Sequence, residues 1–171
     1  MSETNYAGQE GLDKLAELVK GIEFTMFTTV NEDGRMHSRP MASQKVDKLG
    51  PFDGTLYFLS RIDSRKVDEI REDQHVLLNY VDPSDAKYVA VQGRATVSRD
   101  KAKIHAFWNA LDKAWFPEGE DDPSIAVISV RVSSAEYWEA NSSRLVRLGS
   151  MAIAAVTGGK TDVGESGRIA V

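Results

Sequence analysis

Residues 55–66 read TLYFLSRIDSRK, a β-type run that leads directly into a helix-type run. The β-branched and aromatic residues over 55–60 predict a strand. Asp63 or Ser64 then stands where a helix over 62–72 needs its N-cap. The sequence therefore predicts a strand that ends at the start of a helix, and the rest of the chain can be placed around this junction.

The first turn of this helix carries two cations, Arg65 and Lys66. Cations are unfavourable at a helix N-terminus, which has unpaired N–H groups and the positive end of the dipole. A bound phosphate would resolve the conflict, with the Ser64 hydroxyl as a further donor. The alternative is a solvated basic pair on a surface helix, neutralised by nearby carboxylates. Three acidic residues are available for that: Asp63, Asp68 and Glu69.

A second strand is predicted upstream, over residues 35–46, after a hairpin turn at 31–34. Arg39 lies on this strand, and a position beside the strand over 55–60 would bring a third cation to the same point. The alternative is an exposed strand arginine, since most arginines lie at the surface. Pro40 implies an edge or bulged position, where backbone groups are free for a ligand.

The whole chain is predicted to be mainly β. Six strands are expected, over residues 24–30, 35–46, 55–60, 75–81, 87–98 and 125–138, with a bulge at Gly93. The expected helices span residues 12–19, 62–72, 100–111 and 145–156. Antiparallel strands in this number favour a closed barrel, because closure removes exposed sheet edges. We expect one domain over 1–156 and a glycine-rich C-terminal arm over 157–171.

Composition excludes several classes of function. The 171 residues include no cysteine, so disulfides, thiolate metal ligands and thiol nucleophiles are excluded. The net charge of −5 argues against nonspecific nucleic-acid binding. The longest apolar stretch, 151–156, is far shorter than the roughly 20 residues of a membrane span, and no secretory signal is visible. We expect a cytoplasmic protein with no metal site, membrane or nucleic-acid partner.

Four segments, at residues 37–41, 57–60, 63–66 and 115–119, read HSRPM, YFLS, DSRK and WFPEG. In this order, and with Glu-Tyr-Trp at 136–138, they resemble the pyridoxamine 5'-phosphate oxidase-like superfamily, and within it the bacterial general stress proteins. The resemblance runs from about residue 12 to 156. It implies a mainly β fold with flanking helices, a six-stranded antiparallel FMN-binding split β-barrel of Greek-key type.

The resemblance also implies a site for the cofactor FMN, with FAD less expected. It assigns the phosphate to Arg39, Ser64, Arg65 and Lys66, with Ser60 nearby. It assigns the ribityl chain and the flavin ring, largely through backbone groups, to His37, Ser38, Arg39, Pro40, Met41, Phe58 and Leu59. The implied assembly is a homodimer with the flavin at the subunit interface, where Trp115 and Phe116 close over the partner's flavin. No residue stands out as a catalytic acid or base.

The implied activity is that of a flavin-dependent oxidoreductase with a small-molecule electron donor or acceptor and an unknown substrate. True pyridoxamine oxidases hold flavin and substrate with Trp, Arg and His residues of a C-terminal segment. The arm over 157–171 has no Trp or His, so vitamin B6 oxidation is not expected. Two alternatives stay open. One is a non-catalytic flavin carrier or stress-response binding protein, and the other is a split barrel that uses a deazaflavin, or haem with His37 as axial ligand.

Overall fold

The structure is a computed structural model, and it describes residues 2–140 and 164–171. The strands of this part are β1 (Ser2–Glu3), β2 (Tyr6–Ala7), β3 (Phe24–Val30), β4 (Met36–Ala42), β5 (Thr55–Arg61), β6 (His75–Asp82), β7 (Lys87–Ser98), β8 (Ile125–Glu139) and β9 (Glu165–Ala170). The helices are α1 (Gly8–Val19), α2 (Arg65–Glu72) and α3 (Lys101–Phe107), followed by a 3-10 helix (Ala110–Ala114). Among these residues, no helix is long and apolar enough to cross a membrane.

Strand β8 organises the sheet, because two different strands share one of its edges. Its first half pairs with β5 and its second half with β9, while β7 runs along its other edge. The order then continues through β6 and β3 to β4. The Gln44 N–H donates to the Tyr57 carbonyl at 3.0 Å, which joins the chain after β4 to β5 and brings the ends of the sheet together. The predicted mainly β split-barrel fold with flanking helices is confirmed, but the strand count differs: the described residues form nine strands instead of six, and the short β1 and β2 pair in parallel with β9.

Local sequence accounts for the turns and bulges of the barrel. Asn31 and Gly34 form the hairpin between β3 and β4, where Gly34 takes a φ of 75° that few other residues adopt readily. The predicted bulge is confirmed by a register shift between Gln92 and Gly93. A Cβ at Gly93 would lie 2.6 Å from the Arg131 carbonyl oxygen, so a residue without a side chain is needed there.

The hydrophobic core has two parts. The larger part fills the barrel, where Phe27 of β3 and Phe58 of β5 meet edge to face with ring centroids 5.2 Å apart. Aromatic pairs prefer this geometry because the ring edge is electropositive. The smaller part lies outside the barrel wall, between α3 and strands β5 and β8. Its fully enclosed members are Ile104, Phe107, Phe116, Ile125 and Val127.

Two predicted boundaries need correction. The helix predicted over 100–111 ends at Phe107 and is followed by the separate 3-10 helix. Asn109 causes the break, because its side chain accepts a hydrogen bond from the Leu111 N–H and starts a new helical turn. The strand predicted over 35–46 ends at Ala42.

The C-terminal residues also differ from the prediction. The sequence predicts only a glycine-rich arm over 157–171, but Glu165–Ala170 forms β9, which pairs with β8 and with the N-terminal strands. Its register buries Gly167 and Ile169 on the side of α1 and the N-terminal segment. The helix predicted over 145–156 lies outside the described residues.

Candidate functional site

The candidate site lies where β4, the end of β5 and the start of α2 meet. β4 is at one end of the strand order, as Pro40 predicts, and its side chains alternate between an outer face and the face toward α2. His37 and Arg39 point toward α2, which carries Arg65 and Lys66 in its first turn. Arg39, Arg65 and Lys66, named the basic cluster below, therefore converge from two elements as the sequence predicts.

The buried carboxylate of Glu69 lies at the centre of the site, and its side chain is only 4% exposed. Its Oε2 atom accepts hydrogen bonds from Thr29 Oγ1 at 2.5 Å and Arg39 Nη2 at 3.0 Å. Its Oε1 atom accepts from His37 Nδ1 at 2.7 Å and Arg65 Nε at 3.0 Å. Two donors on each oxygen satisfy the carboxylate as fully as a buried charge requires.

The Arg39 guanidinium is held by protein groups on one side. Its Nη1 donates to Thr29 Oγ1 at 2.6 Å and to the Phe27 carbonyl at 3.3 Å, and its Nη2 donates to Glu69. Thr29 in turn donates its hydroxyl hydrogen to Glu69. These contacts fix the plane of the guanidinium and, among the described residues, leave its Nε–H and one Nη2 N–H for another acceptor.

His37 bridges Glu69 and Arg65. Its Nδ1 atom faces the carboxylate, and its Nε2 atom lies 3.1 Å from Arg65 Nη2. A neutral imidazole satisfies both contacts if Nδ1 carries the hydrogen and Nε2 accepts from the guanidinium. The Arg65 side chain is 68% exposed, whereas that of Arg39 is 22% exposed. Arg65 is therefore the outer cation of the cluster and Arg39 the inner one.

Lys66 and two serines form the floor of the site. Lys66 Nζ donates to Ser60 Oγ at 3.1 Å, and Ser60 Oγ lies 3.3 Å from Ser64 Oγ. Ser64 is the N-cap of α2 but makes no side-chain capping hydrogen bond, which leaves its hydroxyl available at the helix N-terminus. No carboxylate of residues 2–140 and 164–171 forms an ion pair with Lys66.

The pKa values of Lys66 and Glu69 reflect this crowding of charge. Burial lowers the pKa of the Lys66 ammonium, and the charge of Arg39 lowers it further, while Glu69 opposes both effects. Burial by itself raises the pKa of Glu69, but hydrogen bonds from Thr29, His37 and Arg39 outweigh it and leave the pKa below the ordinary value. With His37 neutral, three cations and one carboxylate leave the site with a net charge of +2.

Comparison with protein families identifies the lineage of this chain. Residues 10–162 match the family model described as pyridoxamine 5'-phosphate oxidase like. The chain belongs to this family. The match spans all of β4, β5 and α2, and therefore the whole basic cluster.

Known relatives of the chain are similar across most of its length. Protein bli-3 of Neurospora crassa is 24% identical in an alignment 156 residues long that covers 86% of this chain and 73% of that protein. General stress protein 26 of Bacillus anthracis superposes with a TM-score of 0.63 at 24% identity, over 73% of this chain and 91% of that one. The general stress FMN/FAD binding protein of Xanthomonas citri gives 0.65 at 22% identity, over 80% and 93%. These structural likenesses support the split-barrel fold.

The remaining residues that the family resemblance assigned to the site lie around the cluster in different environments. Ser38 and Pro40 face outward from β4, and Met41 is buried in the barrel. Phe58 is fully buried against Phe27, and Leu59 packs against the smaller part of the core. The side chains of Met41, Phe58 and Leu59 are thus used for packing, and only their backbone groups remain for a ligand.

Trp115 and Phe116 are separated by the structure, although they are adjacent in sequence. Trp115 is 74% exposed at the end of the 3-10 helix, whereas Phe116 is 4% exposed within the smaller part of the core. Within one protomer, Phe116 therefore serves packing, and Trp115 is the residue of the pair that is free to contact another molecule.

Sequence reasoning missed two residues of the site. Thr29 lies in the middle of β3 and gave no signal, because its role depends on the pairing of β3 with β4. Glu69 was considered as one of three neutralising surface residues. Asp63 pairs instead with Arg61, and Asp68 with Arg71, while Glu69 is buried against the cluster. The usable signal was its position four residues after Arg65, which places both on one helix face.

Proposed function

We propose that this member of the pyridoxamine 5'-phosphate oxidase-like family binds FMN and places its phosphate group at the basic cluster. The observation that carries this proposal is the surplus of positive charge at a helix N-terminus. Arg39 and Arg65 pair there with a single carboxylate, Glu69, whereas Lys66 Nζ donates to Ser60 Oγ and has no carboxylate partner among the described residues. A phosphate monoester carries a charge of roughly −1.5 to −2 near neutral pH, which matches the net +2 of the site.

The donors around the cluster fit a phosphate group in type as well as in charge. The Ser64 hydroxyl makes no capping hydrogen bond, and the N–H groups of Arg65 and Lys66 have no backbone acceptor among the described residues. Lys66 provides an ammonium next to Ser60, and Arg39 keeps its Nε–H and one Nη2 N–H for a ligand. Phosphate groups bind at helix N-termini because backbone N–H groups and the dipole both favour an anion.

The flavin assignment is supported by the family and by a structural relative. The Xanthomonas citri protein is described as FMN/FAD binding, and it shares the fold over 80% of this chain. A haem alternative is disfavoured by geometry, because Arg65 Nη2 lies 3.1 Å from the His37 Nε2 atom that would have to bind iron. A monoester site favours FMN over FAD, because the two phosphates of FAD are joined by an anhydride bond and neither is a terminal monoester.

Bound FMN would supply hydride or electron transfer, and the protein would supply binding, orientation and access. We propose that the chain is a flavin-dependent oxidoreductase that takes electrons from a reduced nicotinamide and passes them to a small acceptor. The described residues at the site are all assigned to holding the phosphate, and none is assigned as a catalytic acid or base, so the proposed role of the protein is to hold and expose the flavin.

We propose further that two copies of the chain form a homodimer. Four large side chains lie in one row on the outer face of the barrel: Phe24, Val81, Tyr88 and Trp138. Val81 pairs with Tyr88 and Tyr88 with Trp138, while the pairing of Thr25 with Tyr80 places Phe24 beside Val81. Each is at least 40% exposed. A contiguous apolar row across four neighbouring strands is typical of an interface between protein surfaces.

The dimer would complete the flavin site. β4 carries Arg39 on its inner face and exposed Pro40 on its outer face, at the edge of the sheet. A second copy packed on the outer face therefore approaches the phosphate site. Trp115, which is 74% exposed, is the side chain we expect to close over the partner's flavin.

The experiment that tests flavin binding is an absorbance spectrum of the purified protein after incubation with FMN and desalting. Retained flavin bands near one FMN per chain support the proposal. A parallel titration with riboflavin, which lacks the phosphate, is expected to give weaker binding. No retained FMN and no spectral shift on titration would refute it, and a deazaflavin that also carries a phosphate is then the next ligand. Bound FMN that no reduced nicotinamide reduces would instead indicate a flavin carrier.

The dimer is tested by light scattering of Tyr88→Asp beside the unchanged chain. The buried carboxylate is expected to give a monomer with weakened FMN binding. Leu49→Asp is the matched control, because Leu49 is 48% exposed in the loop before β5 and lies off the apolar row. A dimer that survives Tyr88→Asp would exclude this face as the interface.

A further inference from the structure

We propose that Glu69 is the positioning residue of the phosphate site, a buried counter-ion that holds Arg39 and Arg65 in place and so gives the site its preference for a phosphorylated ligand. This inference rests on the proposed function and extends it to a residue that touches no ligand itself. It concerns the four groups that donate to one carboxylate: Thr29, His37, Arg39 and Arg65.

The partners of Glu69 indicate its role. Both oxygens are fully used by protein donors, so the carboxylate has no capacity left for a ligand. Two of its four partners are cations of the basic cluster, and a third, His37, also contacts Arg65. The fourth, Thr29, holds the other side of the Arg39 guanidinium. Every one of these four contacts therefore acts on a cation of the basic cluster or on a group that contacts such a cation.

Stability alone is a poor reason to keep this carboxylate. Burying a charge has a desolvation cost that an ion pair often does not recover, and apolar residues can fill such a position at similar or lower free energy. Helix α2 already docks through Val67 and Ile70, which are buried in the barrel core. A buried anion at position 69 is better explained by what it does to the cations around it.

Those cations need a counter-ion before a ligand arrives. Arg39 is close enough to Lys66 to lower its pKa, so the two like charges repel each other. Glu69 draws Arg39 and Arg65 to fixed positions on either side of its carboxylate. Two pre-positioned guanidinium groups lose little side-chain freedom when a phosphate binds, which raises affinity for the phosphorylated ligand alone.

Removing the charge of Glu69 has two opposing effects on FMN affinity. Glu69→Gln raises the net charge of the site from +2 to +3, which by itself favours an anion. It also weakens the contacts that fix Arg39 and Arg65, since an amide offers one acceptor oxygen and a donor that repels them. We expect the loss of positioning to dominate.

The test compares Glu69→Gln with Asp68→Asn in titrations with FMN and with riboflavin. Flavin fluorescence measures the binding in each titration. Asp68 is the matched control, because it is the adjacent residue of α2, changes charge by the same amount, and pairs with Arg71 on the exposed face. In Glu69→Gln we expect FMN affinity to fall about tenfold or more and riboflavin affinity to stay within about threefold. In Asp68→Asn both affinities are expected to match the unchanged protein.

Two results would overturn the inference. One is an unchanged or tighter FMN affinity in Glu69→Gln, which would mean that charge outweighs positioning. The other is a parallel loss of FMN and riboflavin affinity, which would indicate a purely structural role. If Glu69→Gln fails to fold, Glu69→Asp keeps the charge on a shorter side chain and is expected to lower the ratio of FMN to riboflavin affinity by a smaller factor. An unchanged ratio in Glu69→Asp would overturn the inference in that case.

Failure of the flavin proposal is distinguishable from failure of this inference. If the unchanged protein binds no flavin, the proposed function is refuted, and inorganic phosphate becomes the probe. Phosphate is then expected to raise the melting temperature of the unchanged protein and of Asp68→Asn, but not that of Glu69→Gln. Equal stabilisation of all three, or of none, would refute the positioning role.

Discussion

Glu69 Oε2 and Arg39 Nη2 lie 3.0 Å apart, although the two residues are separated by 30 positions in the chain. The pair joins helix α2 to the edge strand β4 through a carboxylate that is almost completely buried. The geometry of the phosphate site is therefore set by tertiary packing between two elements, and substitutions on either element should change ligand binding in predictable ways.

Loss of a single cation should weaken the binding of a phosphorylated flavin. Lys66→Ala and Arg39→Ala are each expected to reduce FMN affinity by about 1.5–3 kcal/mol, the range for a hydrogen bond to a charged group. Riboflavin affinity should change little, because the lost contacts are to phosphate. Isothermal titration calorimetry measures both ligands. Lys20→Ala, which removes an exposed lysine after α1, is the control. Unchanged FMN affinity in both variants would show that the phosphate lies elsewhere.

The lowered pKa of Lys66 predicts how FMN binding depends on pH. Only the ammonium form attracts phosphate, so affinity should fall as pH rises through the Lys66 pKa, which lies below the ordinary lysine value of 10.5. Bound phosphate favours the charged form, so binding in this range should take up protons. Lys66→Arg should remove the decline, because arginine keeps its charge in proteins. Riboflavin titrated over the same range corrects for ionisation of the flavin ring, and an identical pH profile for Lys66→Arg would contradict the assignment.

Acid stability should report on Glu69. Its pKa is depressed in the folded protein, so the carboxylate contributes stability above its unfolded pKa, and this contribution is lost as pH falls through the folded pKa. We expect Glu69→Gln to be less stable than the unchanged chain by about 1–3 kcal/mol near neutral pH. This difference in the free energy of unfolding between Glu69→Gln and the unchanged chain should narrow below about pH 4.5. Urea unfolding at several pH values measures it. The exposed carboxylates with lowered pKa titrate in both proteins, so their contributions cancel in the difference in free energy of unfolding.

Most of the fold could be predicted from the sequence, because its main elements have local signals. The six long strands are bounded by turn residues, and the bulge falls at Gly93, where only hydrogen fits against the Arg131 carbonyl. Strand β9 could not be predicted in this way. Its sequence, Glu165–Ala170, is short and contains glycine, and it becomes a strand only between β8 and the N-terminal segment.

The candidate site was predictable to the extent that its residues are close in sequence. Arg65 and Lys66 follow a strand directly, and the helix start explains why cations there favour an anion. The burial of Glu69 could not be predicted from the sequence, because a glutamate next to basic residues usually lies at the surface. It is buried only because β3 and β4 supply Thr29 and Arg39 on the opposite side.

The C-terminal strand should depend on the Tyr137 hydroxyl. This buried group lies 2.5 Å from Glu165 Oε1 and 3.0 Å from the Thr4 carbonyl, so it links β8 to β9 and to the N-terminal segment. Burial and the Glu165 carboxylate raise the pKa of Tyr137, which keeps the hydroxyl as a donor at every ordinary pH. Tyr137→Phe leaves the ring packed but removes this link, and we expect a loss of about 1 kcal/mol.

The loss in Tyr137→Phe should be concentrated at one edge of the barrel. Amide hydrogen exchange is expected to accelerate at Gly167 and Arg168, whereas amides in β6 and β7 change only as much as global stability does. Tyr57→Phe is the control, because Tyr57 lies on β5, which does not pair with β9, and packs against Phe107 of α3. Faster exchange spread evenly over the sheet would mean that the hydroxyl supports the whole barrel. No change in exchange or stability would mean that β9 is held by its ladder with β8 alone.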